Sequence, residues 1–323
     1  MFEKLTLEEA TTKANAAHKY LLIDFTAKWC GPCAKMDRTT WSEPLVHDWV
    51  REHAIAIQLD SDENEALCRE WDIKTLPSVL IRRDGAELDR VRGYQSALQL
   101  VPWLDGVRAG KTRLDALRLT GDTDVNGRFR LAQELVDRGQ FDEAVGHFAW
   151  LWEHSLEHEP AWLGVRSSFM IGALEPLVKS HAPARERFES LRAIADFGDW
   201  VTLSVLLEHE DEIVARIEKM TPDEAEQVGL FDEPHVVEVL DAHSALASYG
   251  KLLPNPKQRL ADEKSRLKAM LEEDLPPELR AEVEADLKEM IEKTQDAFAR
   301  ALEEAGRAEE ADAVRDFDVR LGP

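Results

Sequence analysis

Cysteine is scarce in this chain: three residues in 323, too few for a framework of structural disulfides. Long apolar runs are missing as well. No stretch of about 18 consecutive apolar residues exists, so no membrane-spanning helix is expected. The opening residues, Met1-Phe2-Glu3-Lys4-Leu5-Thr6-Leu7-Glu8-Glu9, mix acids with a base and hold no apolar segment of the kind a secretory signal needs. The expectation is a cytoplasmic chain with no membrane partner. Basic side chains are also in deficit, 40 Lys and Arg against 64 Asp and Glu, for a formal charge of −24. Up to residue 110 there are 14 basic and 18 acidic side chains, which leaves 26 and 46 beyond that point. Nearly all the surplus acid therefore lies C-terminal, where it reads as the solvated surface of helices. Phosphate contacts need clustered Lys and Arg, so no nucleic-acid partner is expected.

What is present falls into two parts, each long enough to bury a core without a disulfide or metal staple. The first part alternates helix and strand. Leu5, Leu7, Ala10, Ala14 and Ala17 space along one helical face behind Thr6, a good N-cap. Tyr20–Thr26 is a continuous apolar run broken by one acid, Asp24, and reads as a central strand covered on both faces. A helix starts at Cys30, is interrupted near Thr39-Thr40-Trp41 and restarts after Ser42-Glu43-Pro44. Ala54–Asp60 and Pro77–Arg82 are further strands, and Asp84-Gly85 turns the second into Leu88–Arg92. Ser96–Val107 closes the unit as a helix. The order β-α-β-α-β-β-α predicts an α/β layer structure over residues 1–108.

Residues 109–125 keep no sustained period and read as a linker. From 126 to 323 strand signals nearly vanish, and an all-α domain is predicted. There, Gly139 separates one amphipathic helix (Phe129, Leu131, Ala132, Leu135) from another (Val145, Phe148, Leu151, Trp152), and a related string returns at Gly306. Helix pairs joined by such a turn suggest an α-solenoid. His147, His154 and His158 have helical spacing, but the helix is expected to stop before His158, so no metal site is assigned.

The chemistry-bearing motif is Trp29-Cys30-Gly31-Pro32-Cys33. A helix N-terminus offers free N–H groups and positive potential, both of which favour a thiolate at Cys30. The two-residue gap places Cys33 one turn later, in reach of a mixed disulfide on Cys30, while Gly31 and Pro32 stiffen the turn. Thiol–disulfide exchange calls for an exposed attacker and a shielded resolver. A zinc site would need further ligands, and the remaining cysteine, Cys68, sits in a helix as a small packed residue.

Phe25 to Cys33, with its unaltered W-C-G-P-C, resembles thioredoxin over about residues 1–108. The resemblance implies a mixed sheet flanked by helices and a protein disulfide reductase. It also implies roles for single residues. Cys30 would attack, Cys33 resolve, and Asp24, the buried acid six residues ahead of the motif, would help deprotonate Cys33. Pro77 matches the cis-proline, with Leu76 before it presenting backbone to a substrate strand. Trp29, Gly31, Pro32 and Gly93 would line the substrate groove. Implied partners are disulfide-containing proteins and an electron-donating reductase, with no cofactor beyond the reversible Cys30–Cys33 disulfide. Departures exist: Thr26 replaces a second tryptophan, Ala56 stands where a lysine near the buried acid is usual, and the broken helix resembles disulfide-transfer reductase domains.

The Leu131–Phe148 spacing resembles the tetratricopeptide pattern. A thioredoxin domain followed by such helices is similar in architecture to the chaperedoxins, which implies that the helical part selects a client or partner. Two readings stay open: a disulfide reductase guided by its helical domain, or a protein-binding, co-chaperone-like module whose redox pair is a sensor or tether.

Overall fold

The computed structural model describes residues 1–271 and 277–320, so parts of the 126–323 prediction, residues 272–276 and 321–323, lie outside the described residues. The chain divides into two compact units, 1–138 and 139–323.

In the first unit Thr6 caps helix α1 (Leu7–Ala16) with a reciprocal bond to Glu9. Strand β1 (Tyr20–Thr26) follows, then α2 (Gly31–Thr39), α3 (Pro44–His53), β2 (Ala54–Asp60), α4 (Glu65–Glu70), β3 (Ser78–Arg83), β4 (Ala86–Arg92) and α5 (Ala97–Arg108). The sheet order is β2-β1-β3-β4, with β1 and β2 parallel and the other pairs antiparallel. Because β1 is central, alternate side chains enter opposite cores. Leu22 packs with Met36, Trp41, Val46 and Leu100, whereas Leu21, Ile23 and Phe25 pack with Ala10, Ala14 and Ile57. Asp24 projects from the Leu22 side, and its carboxyl enters the layer formed by the interrupted α2–α3 pair.

Residues 109–125 are not the predicted linker. They contain helix α6 (Arg113–Leu117), with Leu114 buried, and α7 (Val125–Asp137) follows within the same unit. The division falls instead at Gly139, whose positive φ turns the chain between α7 and the next helix. What ties this extension to the sheet is Asp89 on β4. Its side chain is fully buried and accepts from Trp103 Nε1 (2.7 Å), the Arg113 backbone N–H (2.6 Å) and the Arg138 guanidinium.

The second unit is helical, with no strand among the described residues. Its first helix runs Phe141–His158 and so includes His158, where an earlier stop was expected; the Trp150 ring stacks on that imidazole at 5.5 Å. Ile171–Ser180 and Ala182–Arg192 form a hairpin that packs on it. Further on, the long helix Pro277–Glu304 packs against Leu246–Leu252, Pro256–Leu271 and Ala308–Arg315 around buried Tyr249, Leu260, Ile291 and Leu302. Gly306 makes the expected left-handed turn. Helix lengths from 3 to 28 residues explain why no constant period shows in the sequence. No helix among the described residues is long and apolar enough to cross a membrane.

Gly250 marks a close approach of two helices in this unit. A Cβ there would lie 1.9 Å from the Ala301 carbonyl oxygen and 2.9 Å from Ala305 Cβ. The obstacle is backbone, so the helices themselves must separate. Gly250→Ala is expected to destabilise the helical unit by about 2–3 kcal/mol. Urea unfolding followed by far-UV circular dichroism checks this, and an unchanged midpoint would contradict the packing.

Candidate active site

The site is built where β1 hands the chain to α2. Cys30 is the N-cap of α2, with extended backbone, and its Sγ accepts from the Cys33 N–H at 3.2 Å. A cap position that usually holds a Ser or Asp oxygen is thus filled by sulfur, which places it on unsatisfied helix donors and the positive end of the dipole. Pro32 occupies the first turn, where a missing N–H costs nothing. The two sulfurs are joined in a disulfide with Cα atoms 5.3 Å apart. Exposure does not separate an open attacker from a shielded resolver: Cys30 is 4% and Cys33 3% exposed. Each sulfur of the disulfide covers the other, and the asymmetry lies in the helix-cap bond instead.

Around the disulfide the structure gathers Ala27 and Leu76. The Leu76–Pro77 peptide is cis, and the Pro77 carbonyl accepts from the Gly93 N–H at 2.8 Å. Gly93 has φ +73°, a backbone state that a β-carbon would strain, although open space surrounds it. Trp29 is 70% exposed, and its indole N–H donates to the Asp62 carboxylate at 3.0 and 3.3 Å. Gly31, at the exposed start of α2, has no neighbour within 4 Å of where a Cβ would be.

Asp24 is 2% exposed. Its Oδ2 accepts from Trp41 Nε1 and Gln58 Nε2, both at 3.0 Å, while Oδ1 has no protein partner. Burial pushes this carboxyl up to about 7, and the Asp37 charge adds to the rise, against the bonds from Gln58 and Trp41. In the strand register Ala56 pairs with Leu22, and the residue beside Asp24 is Gln58. Trp41, Gln58, Asp37 and Asp62 escape a reading of the sequence because none belongs to a motif; Trp41 is signalled only by lying in the helix break. Cys68 is half-buried, and burial with the charges of Asp62 and Glu65 pushes its thiol up, away from thiolate chemistry.

The raised carboxyl has a consequence for stability. Asp24 binds a proton more tightly folded (about 7) than at its ordinary value of 3.8, so its protonated form stabilises the fold below about pH 4. That contribution is lost as pH rises through 7. Asp24→Asn keeps an acceptor oxygen and carries no charge. The oxidised variant is expected to match the parent near pH 4 and to exceed it by a few kcal/mol above about pH 8. Urea midpoints across that range test the sign.

The N-terminal part of the chain has counterparts among known proteins. A family model described as Thioredoxin-like domain matches residues 7–108. A thioredoxin H-type of Oryza sativa subsp. indica is 34% identical over 84 residues, which are 25% of this chain and 64% of that protein. A Staphylococcus aureus thioredoxin is 33% identical over 84 residues, 26% of this chain and 78% of that protein. A TPR repeat-containing thioredoxin of Arabidopsis thaliana is 34% identical over 89 residues, 27% of this chain and 22% of that protein. The chain thus spans just under two thirds of the rice protein's length and about a fifth of the second plant protein's.

Proposed function

The chain belongs to the thioredoxin family, and from that premise we propose that it is a reductase of protein disulfides. The observation that carries this reading is the Cys30–Cys33 pair at the N-terminus of α2, packed against Leu76 of the cis Leu76–Pro77 peptide. In the reduced state the helix cap stabilises a Cys30 thiolate, which attacks one sulfur of a substrate disulfide. A Cys30–substrate disulfide forms, and the other substrate sulfur leaves as thiolate and takes a proton from water. Cys33 then gives its proton to Asp24 and attacks Cys30 Sγ. The intramolecular disulfide re-forms, and the second substrate thiolate departs. Two electrons have passed to the substrate, and an external reductase must return them. No bound cofactor enters the cycle.

Trp29, Gly31, Pro32, Leu76, Pro77 and Gly93 are assigned to the substrate groove. Extended substrate backbone would bond to the backbone just before Pro77, and exposed Trp29 would offer an apolar face. The helical unit is assigned client selection, supported by large apolar side chains left in solvent, Phe169 at 74% and Ile194 at 82% exposed. The rival reading, a binding module with the redox pair as sensor or tether, shares that surface and differs in turnover. Reduction of insulin disulfides by the full chain, with dithiothreitol as electron source, separates the two. Many turnovers per chain are expected; a single stoichiometric event would favour the sensor.

A further inference from the structure

Two hydrogen-bond donors converge on one oxygen of a buried carboxyl and leave its other oxygen without a protein partner. An indole N–H cannot accept, and the Gln58 Nε2 that reaches Asp24 is likewise only a donor, so Oδ2 is restricted to the acceptor role. A proton on Asp24 must then reside on Oδ1. The same Gln58 nitrogen also donates to Asp37 Oδ1 at 3.0 Å, on the exposed face of α2. We infer that Trp41 and Gln58 are positioning residues that hold Asp24 with Oδ1 as its proton-carrying atom. Asp37, acting from the surface and joined to it through Gln58, sets how readily that proton leaves. This deepens the reading of Asp24 as the proton acceptor for Cys33 and rests on it.

The groups around Asp24 set the signs. In register with it on the neighbouring strands stand Gln58 and Val79. The loop after α2 supplies Trp41, and α2 itself supplies Asp37, the charged group acting on the carboxyl. Removing a donor to Oδ2 disfavours the anion, whereas removing the Asp37 charge favours it. The substitutions must therefore act in opposite directions, a pattern that generic loosening of the fold does not produce.

The test follows the Asp24 carboxyl carbon by NMR in the reduced full chain, assigned by loss of its signal in Asp24→Asn. Gln58→Leu and Trp41→Phe are expected to move its titration to higher pH by about half to one pH unit. Asp37→Asn keeps an acceptor for Gln58 and is expected to move it lower by a similar amount. The Trp41 indole N–H should stay hydrogen-bonded on both sides of the midpoint, since Oδ2 never takes the proton. Shifts of one common sign, no shifts, or loss of the indole bond on protonation would overturn the inference. In parallel, stopped-flow release of substrate from the Cys30 mixed disulfide is recorded against pH. A release profile that moves with the carboxyl supports both statements. Carboxyl shifts of the expected signs with an unmoved release profile would support the positioning and overturn Asp24 as the proton acceptor for Cys33.

Discussion

A fragment ending at Arg108 is expected to unfold at lower urea than one ending at Arg138, with a loss of about 3–5 kcal/mol. The shorter fragment contains every helix and strand that the sequence pattern assigns to the α/β unit, so composition alone would favour it. The difference originates at Asp89. In the whole unit its buried carboxylate accepts from Trp103, the Arg113 N–H and Arg138, while Glu134, itself 5% exposed, holds Arg138 at 2.7 Å and Arg113 at 3.4 Å. Burial disfavours the Arg138 charge, yet the bonds and charges of Glu134 and Asp89 outweigh it and push its pKa up. Ending the chain at Arg108 leaves Asp89 with Trp103 alone and strips buried Leu114, Leu131 and Leu135 from the unit. Arg138→Met in the full chain isolates the ionic part, because its aliphatic stem still packs while the charge is gone. A cost of about 3 kcal/mol is expected there, with partial recovery in Arg138→Met/Asp89→Asn. Equal urea midpoints for the two fragments would mean that residues 109–138 merely rest on the unit.

That boundary also shows where a sequence stops being legible. Helix α6 has five residues, too short to display a period, and Arg138 meets Asp89 across 49 positions of chain. Neither contact has a local signature. The sheet, by contrast, was readable: β1 is an apolar run broken by Asp24 alone, β2 opens on the apolar run Ala54–Ile57, and Asp84-Gly85 turns β3 into β4 as expected. The same divide runs through the active site. Cys30, Cys33 and Pro77 announce themselves through residues adjacent in the chain. The partners of Asp24 depend on the parallel register of β1 on β2, where a two-residue difference separates Ala56 from Gln58. Trp41 reaches the carboxyl only because the helix breaks after Thr39, and a break is visible in sequence while its direction is not. In the helical unit, the turns at Gly139 and Gly306 were legible from glycine, whereas the helix runs on through His158, whose ring stacks on Trp150, a contact with no signature in the sequence.

Cys30→Ser and Cys33→Ser are expected to fail in different ways, although the two sulfurs are almost equally buried. Both should lower multiple-turnover insulin reduction by at least about a thousandfold, because each removes a covalent partner from the cycle. Their adducts should differ. In Cys33→Ser the Cys30 thiol keeps the α2 cap, with the residue 33 N–H and the helix dipole to stabilise its thiolate. It can therefore attack a disulfide, but nothing then resolves the product, and a mixed disulfide should accumulate. In Cys30→Ser the remaining thiol belongs to Cys33, which lies within the first turn of α2 and 3% exposed, without the cap position. Adduct formation should be slower there by about two orders of magnitude, as befits a thiol that lacks the cap position and is poorly reached. Incubating each reduced variant with a peptide disulfide and following the adduct by intact-mass spectrometry measures both rates. Equal rates would assign the attack to neither sulfur and remove the helix cap as its cause. Faster trapping on Cys33 would reverse the assignment, making Cys30 the resolver. Trapping confined to Cys33→Ser would make Cys30 the point of entry, and that variant would then hold disulfide substrates as stable adducts.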